Sequence, residues 1–275
     1  YNGEIYNFTE LRVQLIGLGH KFRSHSDTEV ILLAYRQWGT DCLKHLNGMF
    51  AFALFDAHQQ TVFLARDRAG EKPLFYHHSH GVLHFASELK ALLADPTLPR
   101  CINPEALDCY LAMGFVPGDR CMLDGFNKLP PAHALIFDQK TGLVKVWRYW
   151  QLPDPVPASL GTVDEAALLD ELETLLEDAV GRQMVADVPV GVLLSGGVDS
   201  SLITAMAVRL SSQVQTFTIG FPGHGMLDET EHARLIARHF GTRHNELMAE
   251  HPTADILLRL ARQFDEPMVD SSMIP

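Results

Sequence analysis

Basic residues are scarce in this 275-residue chain: 22 Lys and Arg stand against 34 Asp and Glu, a formal net charge of −12. No Lys/Arg run or basic stripe relieves the deficit, which argues against nucleic acid or an anionic membrane as the main partner. Cysteine is also sparse. Cys42, Cys101, Cys109 and Cys121 form no C-x-x-C pair and fall short of a secreted disulfide scaffold, so free, buried thiols in a reducing cytoplasm are expected. No apolar run approaches the ~18–20 residues of a membrane span. The Walker pattern G-x-x-x-x-G-K-[ST] is missing, which excludes that phosphate loop. His77-His78-Ser79-His80 lacks Cys or carboxylate partners at ligand spacing; it reads as a solvated turn between two strand-like runs, not a metal site.

What the chain does have is Leu193-Leu194-Ser195-Gly196-Gly197-Val198-Asp199-Ser200-Ser201. An apolar run ends in a Ser-Gly-Gly turn and passes into a helical pattern. That order aims backbone N–H groups and a positive dipole end at phosphate. Asp199 is informative: a carboxylate beside phosphates is repelled unless a divalent cation lies between them, which points to Mg²⁺. The nonapeptide resembles the SGGxDSS pyrophosphate loop of the ATP pyrophosphatases, which adenylate a carboxylate and release pyrophosphate. The alternative is a plain strand-to-helix turn with helix-capping serines.

The organisation on either side differs. Up to about residue 150, helical patterns at Phe8–Leu18 and after Ser26, stopped by Gly39, precede short β-type runs at 49–55, 61–65, 74–77 and 82–86. Their close spacing predicts antiparallel hairpins between neighbours. A further hairpin is expected at 133–138 and 144–150. Pro153, Pro155, Pro157 and Gly161 read as a stiff linker. After a helical stripe from Leu168 to Val180, the rhythm becomes β (188–194), α (200–210), β (214–220), α (229–240), β (243–248), α (254–264). That alternation predicts a parallel sheet covered by helices, with the phosphate turn at a strand's carboxyl end. Asp228 with Glu231 reads as a capping box and Gly241 as a helix stop. The expected domains are thus 1–150 and 164–275, with a linker at 151–163.

Asn2-Gly3-Glu4-Ile5-Tyr6-Asn7, alone, would be a turn. Other segments follow it in order: Ser26-Asp27-Thr28-Glu29-Val30, Asn47-Gly48-Met49-Phe50-Ala51-Phe52, Arg66-Asp67-Arg68-Ala69-Gly70-Glu71-Lys72-Pro73, and Phe85-Ala86-Ser87-Glu88-Leu89-Lys90. Together they resemble the glutaminase domain of class II glutamine amidotransferases. With the SGGxDSS loop, the resemblance to the glutamine-hydrolysing asparagine synthetase family covers nearly the whole chain. It implies an α+β N-terminal nucleophile-hydrolase-like domain of stacked antiparallel sheets, followed by an α/β parallel-sheet ATP-pyrophosphatase domain.

The resemblance also implies roles. Asn2 (side-chain amide) and Gly3 (backbone N–H) would be oxyanion donors, since amide hydrolysis needs a nucleophile, a base and such donors. Asp27 would hold the α-ammonium group of glutamine, with Glu4 lining the same pocket; the alternative for Asp27 is a helix N-cap. Leu194, Ser195, Gly196, Gly197, Asp199, Ser200 and Ile219 would meet ATP, Leu194 and Ile219 through their backbones, and Asp199 would meet Mg²⁺. The reaction implied is adenylation of aspartate by ATP, then amidation by glutamine-derived ammonia, giving asparagine, AMP and pyrophosphate in the cytoplasm. A homodimer is left open.

No cysteine is N-terminal, and the family's second nucleotide loop would fall beyond Pro275. An internal fragment, inactive as given, is therefore expected. The tail Asp265-Glu266-Pro267-Met268-Val269-Asp270-Ser271-Ser272-Met273-Ile274-Pro275 resembles the D-E-P-x-x-D-S-S-x-x-P form of many relatives, including ones associated with polysaccharide or antibiotic pathways. Amidation of another carboxylate is thus the main alternative, and a non-catalytic nucleotide-binding relative the next.

Overall fold

The computed structural model describes residues 1–155, 164–221, 228–249 and 254–270. Pro157 and Gly161 of the expected linker, and the tail from Ser271 onward, lie outside the described residues. Two compact units are present, Tyr1–Asp154 with Asp255–Ser271, and Pro155–Ala254.

The first unit contains β1 (Asn2–Ile5), α1 (Phe8–Gly17), α2 (Asp27–Trp38), β2 (Gly48–Asp56), β3 (Thr61–Arg66), β4 (Phe75–Ser79), β5 (Val82–Ala86), α3 (Leu89–Leu92), α4 (Pro104–Met113), β6 (Phe126–Lys128), β7 (His133–Asp138) and β8 (Leu143–Arg148). These strands form two antiparallel sheets, ordered β1-β2-β3-β7-β8 and β5-β4-β6. Side-chain alternation explains the layering. Phe50, Phe52, Leu54, Phe63 and Ala65 pack on Leu11, Leu15, Val30, Ile31 and Ala34 of α1 and α2. On the opposite face, Ala51, Leu64, Leu135 and Phe137 meet Tyr76 and Leu83 of the smaller sheet. Helix α3 covers that sheet's far side through Leu89 and Leu92 against Phe75 and Phe126.

Not every pair of neighbouring strands is a hairpin. β3 pairs with β2 and β7, whereas β4 pairs with β5 and β6, so the chain changes sheet between them. The cause is Asp67, 1% exposed. Its carboxylate accepts the N–H groups of Phe50, Gly70, Glu71 and Lys72 at 3.2, 2.6, 2.9 and 3.0 Å. Arg66 donates to the carbonyls of Lys72, Leu129 and Gly70, so the connection is tied into a compact crossing loop.

The histidines are not a solvated turn either. His77 and His78 lie in β4, and their ring nitrogens bond the carbonyl oxygens of Gly125 and Gly142 at 2.7 and 2.9 Å. Of the cysteines, only Cys42 and Cys121 are buried; Cys101 is exposed and Cys109 half-buried, and all four are free. Burial pushes both buried thiols up to about 12.

The second unit runs α5 (Glu165–Gln183), β9 (Gly191–Leu193), α6 (Val198–Leu210), β10 (Gln215–Gly220), α7 (Thr230–Phe240) and β11 (Arg243–Met248). The three strands are parallel, ordered β11-β10-β9. β9 is shorter than the apolar run because Pro189 cannot donate to a ladder. Gly241 stops α7. The expected capping box does not form: Asp228 accepts the Thr230 N–H and hydroxyl at 3.1 and 2.8 Å, and the N-cap is Glu229. The Thr230 N–H and hydroxyl both occupy Asp228 Oδ1, the kind of acceptor a capping box would turn to the Glu231 N–H. A last helix, α8 (Ala254–Gln263), packs from Asp255 onward with the first unit. No helix among the described residues is long and apolar enough to cross a membrane.

Candidate functional site

The first candidate site lies along β1, an edge strand among the described residues. Backbone direction there follows from hydrogen bonds already named. Phe50, opposite Gly3, gives its N–H to the Asp67 carboxylate and its carbonyl to the Asp67 N–H. Both polar groups of Phe50 therefore face away from β1. In an antiparallel ladder the facing residue must then direct its own N–H and carbonyl outward as well. Tyr6, three residues on, donates back to Asn47 at 2.8 Å, as the alternation requires. Gly3 and Ile5 thus aim their N–H groups at the open edge. Ile5 uses its own there, donating to Asp27 Oδ2 at 3.0 Å.

Gly3 has no substitute at this position. Its φ is +147°, and a Cβ would lie 2.1 Å from the Met49 carbonyl oxygen. The mirror-image backbone puts a side chain into β2. Asn2 and Glu4, two residues apart, project from the exposed face, opposite the buried Ile5.

Asp27 is not the cap of α2. Ser26 is, accepting the Thr28 N–H at 3.1 Å. Asp27 is instead the first helical residue, and its carboxylate reaches β1, where Oδ2 takes the Tyr1 hydroxyl at 2.5 Å besides the Ile5 N–H. Glu29 secures the preceding loop through the N–H groups of Arg23 and Ser24. Tyr1 and Tyr6 report the local field. Burial first, then Asp27, raises the Tyr1 phenol; burial first, then Glu71, Asp67 and Glu4, raises that of Tyr6. This acidic edge favours a cationic group.

The second candidate site is the turn from β9 into α6. Leu194 leaves the strand buried, its N–H donating to the Phe217 carbonyl at 2.8 Å. The Ser195 and Ser200 hydroxyls lie 2.9 Å apart; Ser195 N–H donates to Ser200 Oγ and Gly197 N–H to Ser195 Oγ. Gly196 sits at φ +84°, where a Cβ would come within 2.6 Å of the Ala233 nitrogen in α7. Asp199 is exposed in the first turn of α6. Ile219, half-buried near the carboxyl end of the adjacent β10, pairs with Leu247. Fold and sequence order thus bring the loop and Ile219 to one end of the parallel sheet. Among the described residues no cluster of three or more His, Cys, Asp or Glu could hold a metal. The donor set fits Mg²⁺ only as one carboxylate completed by phosphate oxygens, the usual manner of that hard cation.

Two residues of the tail have structural partners. Asp265 caps α3 by accepting the Leu89 and Lys90 N–H groups at 2.6 and 3.1 Å. Glu266 accepts the Met122 N–H at 2.6 Å and pairs with Lys128. Periodicity and motif spacing gave no sign of the roles of Asp67, Tyr1 or these two; each depends on contacts distant in sequence.

Residues 1–150 match the family described as glutamine amidotransferase domain, and residues 171–275 that described as asparagine synthase. A putative glutamine-hydrolysing asparagine synthetase 2 of Methanocaldococcus jannaschii is 37% identical over 280 residues, 100% of this chain and 53% of that protein. Glutamine-hydrolysing asparagine synthetase 3 of Bacillus subtilis is 44% identical over 75% of this chain and 33% of its own length. Glutamine-hydrolysing asparagine synthetase B of Escherichia coli is 32% identical over 90% of this chain and 40% of its own length. The chain spans about half the length of these relatives, or less. Among solved structures, the glutamine phosphoribosylpyrophosphate amidotransferase of B. subtilis aligns over 94% of this chain and 49% of that chain, at 16% identity and a TM-score of 0.38, too distant a likeness to build on.

Proposed function

The chain belongs to the glutamine-hydrolysing asparagine synthetase family, and on that premise we propose that its protein makes asparagine from aspartate, ATP and glutamine in the cytoplasm. On this reading residues 1–150 form an N-terminal nucleophile-hydrolase-like domain that releases ammonia from glutamine. Residues 164–275 contribute to an ATP-pyrophosphatase domain, joined through a linker at 151–163.

At the first site the outward Gly3 N–H and the Asn2 amide stabilise the oxyanion that develops at the glutamine side-chain carbonyl. Asp27 receives the substrate's α-ammonium group, with Glu4 beside it. At the second site the Gly196–Gly197 turn and the N-terminus of α6 receive the ATP phosphates, while the Ser195 and Ser200 hydroxyls exchange each other for phosphate oxygens. Leu194 and Ile219 meet the nucleoside through their backbones. Asp199 would hold Mg²⁺, which would supply charge neutralisation for the phosphates. The acceptor carboxylate, once adenylated, is then amidated by ammonia.

The observation that carries this reading is the Ser195–Ser200 turn at the carboxyl end of a parallel strand, with no Walker lysine. The test uses protein expressed from its complete reading frame, with Mg²⁺, ATP, glutamine and aspartate. Pyrophosphate, AMP and asparagine are the expected products. ADP with orthophosphate in stoichiometric amount would sink the assignment, and pyrophosphate release with a different acid, such as a uronic acid, would move the acceptor but keep the chemistry.

A further inference from the structure

We propose that Tyr1 is a positioning residue for glutamine: its hydroxyl holds the Asp27 carboxylate so that one oxygen is left to the substrate's α-ammonium group. The inference rests on the reading of Asp27 given above. Both strong donors to this carboxylate, the Tyr1 hydroxyl at 2.5 Å and the Ile5 N–H at 3.0 Å, converge on the same oxygen, Oδ2. The other oxygen, Oδ1, has the Ser26 hydroxyl at a long 3.4 Å. Because Ser26 itself caps α2, the Asp27 carboxylate is not needed by the helix that carries it. Two anchors of different origin, one backbone and one side chain, fix Oδ2 and leave Oδ1 with only that long contact.

The edge of β1 sets the scale. Gly3 and Ile5 present their N–H groups on the same side, two residues and therefore roughly 7 Å apart. That separation is of the order spanned by an extended glutamine between its α-ammonium group and its side-chain amide. One end of the substrate then meets the carboxylate anchored at Ile5 while the other reaches the Gly3 N–H. Burial and the adjoining carboxylate hold the Tyr1 phenol above its ordinary value, so it stays a donor throughout the neutral range.

The experiment compares wild type, Tyr1→Phe and Asp27→Asn, each expressed from the complete reading frame, for hydrolysis of L-glutamine and of glutaramate, which lacks the α-amino group. Tyr1→Phe is expected to raise KM for glutamine about two- to tenfold, the worth of one hydrogen bond, with kcat little changed and KM for glutaramate unmoved. The same contrast is expected in calorimetric Kd values for the two ligands, so the proposal does not depend on turnover. Equal shifts for both substrates, or none for glutamine, overturn it; equal shifts are also what a general loss of folding produces. If Asp27→Asn raises the glutamine KM and Tyr1→Phe does not, only the Tyr1 role is lost. If Asp27→Asn is silent, the α-ammonium assignment falls and this inference with it.

Discussion

Along β1 the candidate site residues are held by paired backbone over a dense core, with Ile5 and Phe50 each 1% exposed. At the β9–α6 turn, Leu193 and Val198 are 79% and 83% exposed, and the polar groups of the loop largely satisfy one another. The second unit also leaves an apolar groove of about 730 Å³ between α5 and α6, lined by Leu169, Leu172, Leu176 and Leu202. An edge built by ladder pairing is pre-formed, and its geometry can change only if the sheet does. Hydroxyls that bond each other can release those bonds to a phosphate without disturbing a strand. Substitutions of the buried groups that hold the first site should therefore register in stability, whereas those at its exposed side chains and near the second site should register chiefly in chemistry.

The largest effect expected is that of Asp67→Ala, which orphans the backbone N–H groups of Phe50, Glu71 and Lys72 and leaves that of Gly70 only the carbonyl of residue 67. We expect a loss of about 3–5 kcal/mol, because buried groups left unsatisfied each cost on the order of 1–3 kcal/mol and relaxation recovers part of the sum. Urea unfolding followed by circular dichroism measures it; a loss under about 1 kcal/mol would mean that water replaces the carboxylate and that the first unit is not pre-formed.

Asp199→Asn addresses the other side. Metal charge stabilisation amounts to several kcal/mol at a phosphoryl barrier, so pyrophosphate release should fall steeply while folding and glutamine hydrolysis largely persist. Wild-type synthetase rates in this variant would reduce Asp199 to a helix-terminus residue.

Asn2→Ala should slow glutamine-dependent synthesis by about 10²–10³, the usual range for one oxyanion donor. Synthesis supported by added ammonia should stay near normal, because ammonia bypasses that step. If both fell together, Asn2 would be supporting the fold and its catalytic role would be withdrawn.

The smallest effect is a pH dependence within the second unit. The hydrogen bond from Arg234 holds the Glu246 carboxyl below its ordinary value. A carboxyl whose folded pKa is depressed contributes stability above its unfolded pKa, and that contribution is lost as pH falls through the folded value. Glu246→Gln should therefore lower thermal stability slightly at neutral pH, with the two proteins converging as pH falls, and the effect is small because the pair is largely solvent-screened. A larger change at pH 4 than at pH 7 would contradict this sign.

Much was legible in the residues alone. Period and stop signals placed α2, β2, β3, β7, β8 and the whole β–α alternation of the second unit to within a few residues, because a helix stripe, a Pro-free apolar run and a glycine stop act locally. Ordered motifs brought out Asn2, Gly3 and the Ser195–Ser200 turn as candidates, since turn chemistry and glycine placement are also local. The crossing from β3 to β4 was not legible, because nothing in a short β-to-β connection says which sheet receives the second strand; Asp67 decides that by gathering amides from two distant segments. Nor could local pattern alone choose between Asp27 as a cap and Asp27 as a carboxylate free for another role. That choice depended on where α2 packs against the sheet, which gives the cap to Ser26 and leaves the neighbouring carboxylate to Ile5 and Tyr1. Local periodicity determines which elements form; long-range burial and backbone hydrogen bonding determine which of their polar groups end up facing one another.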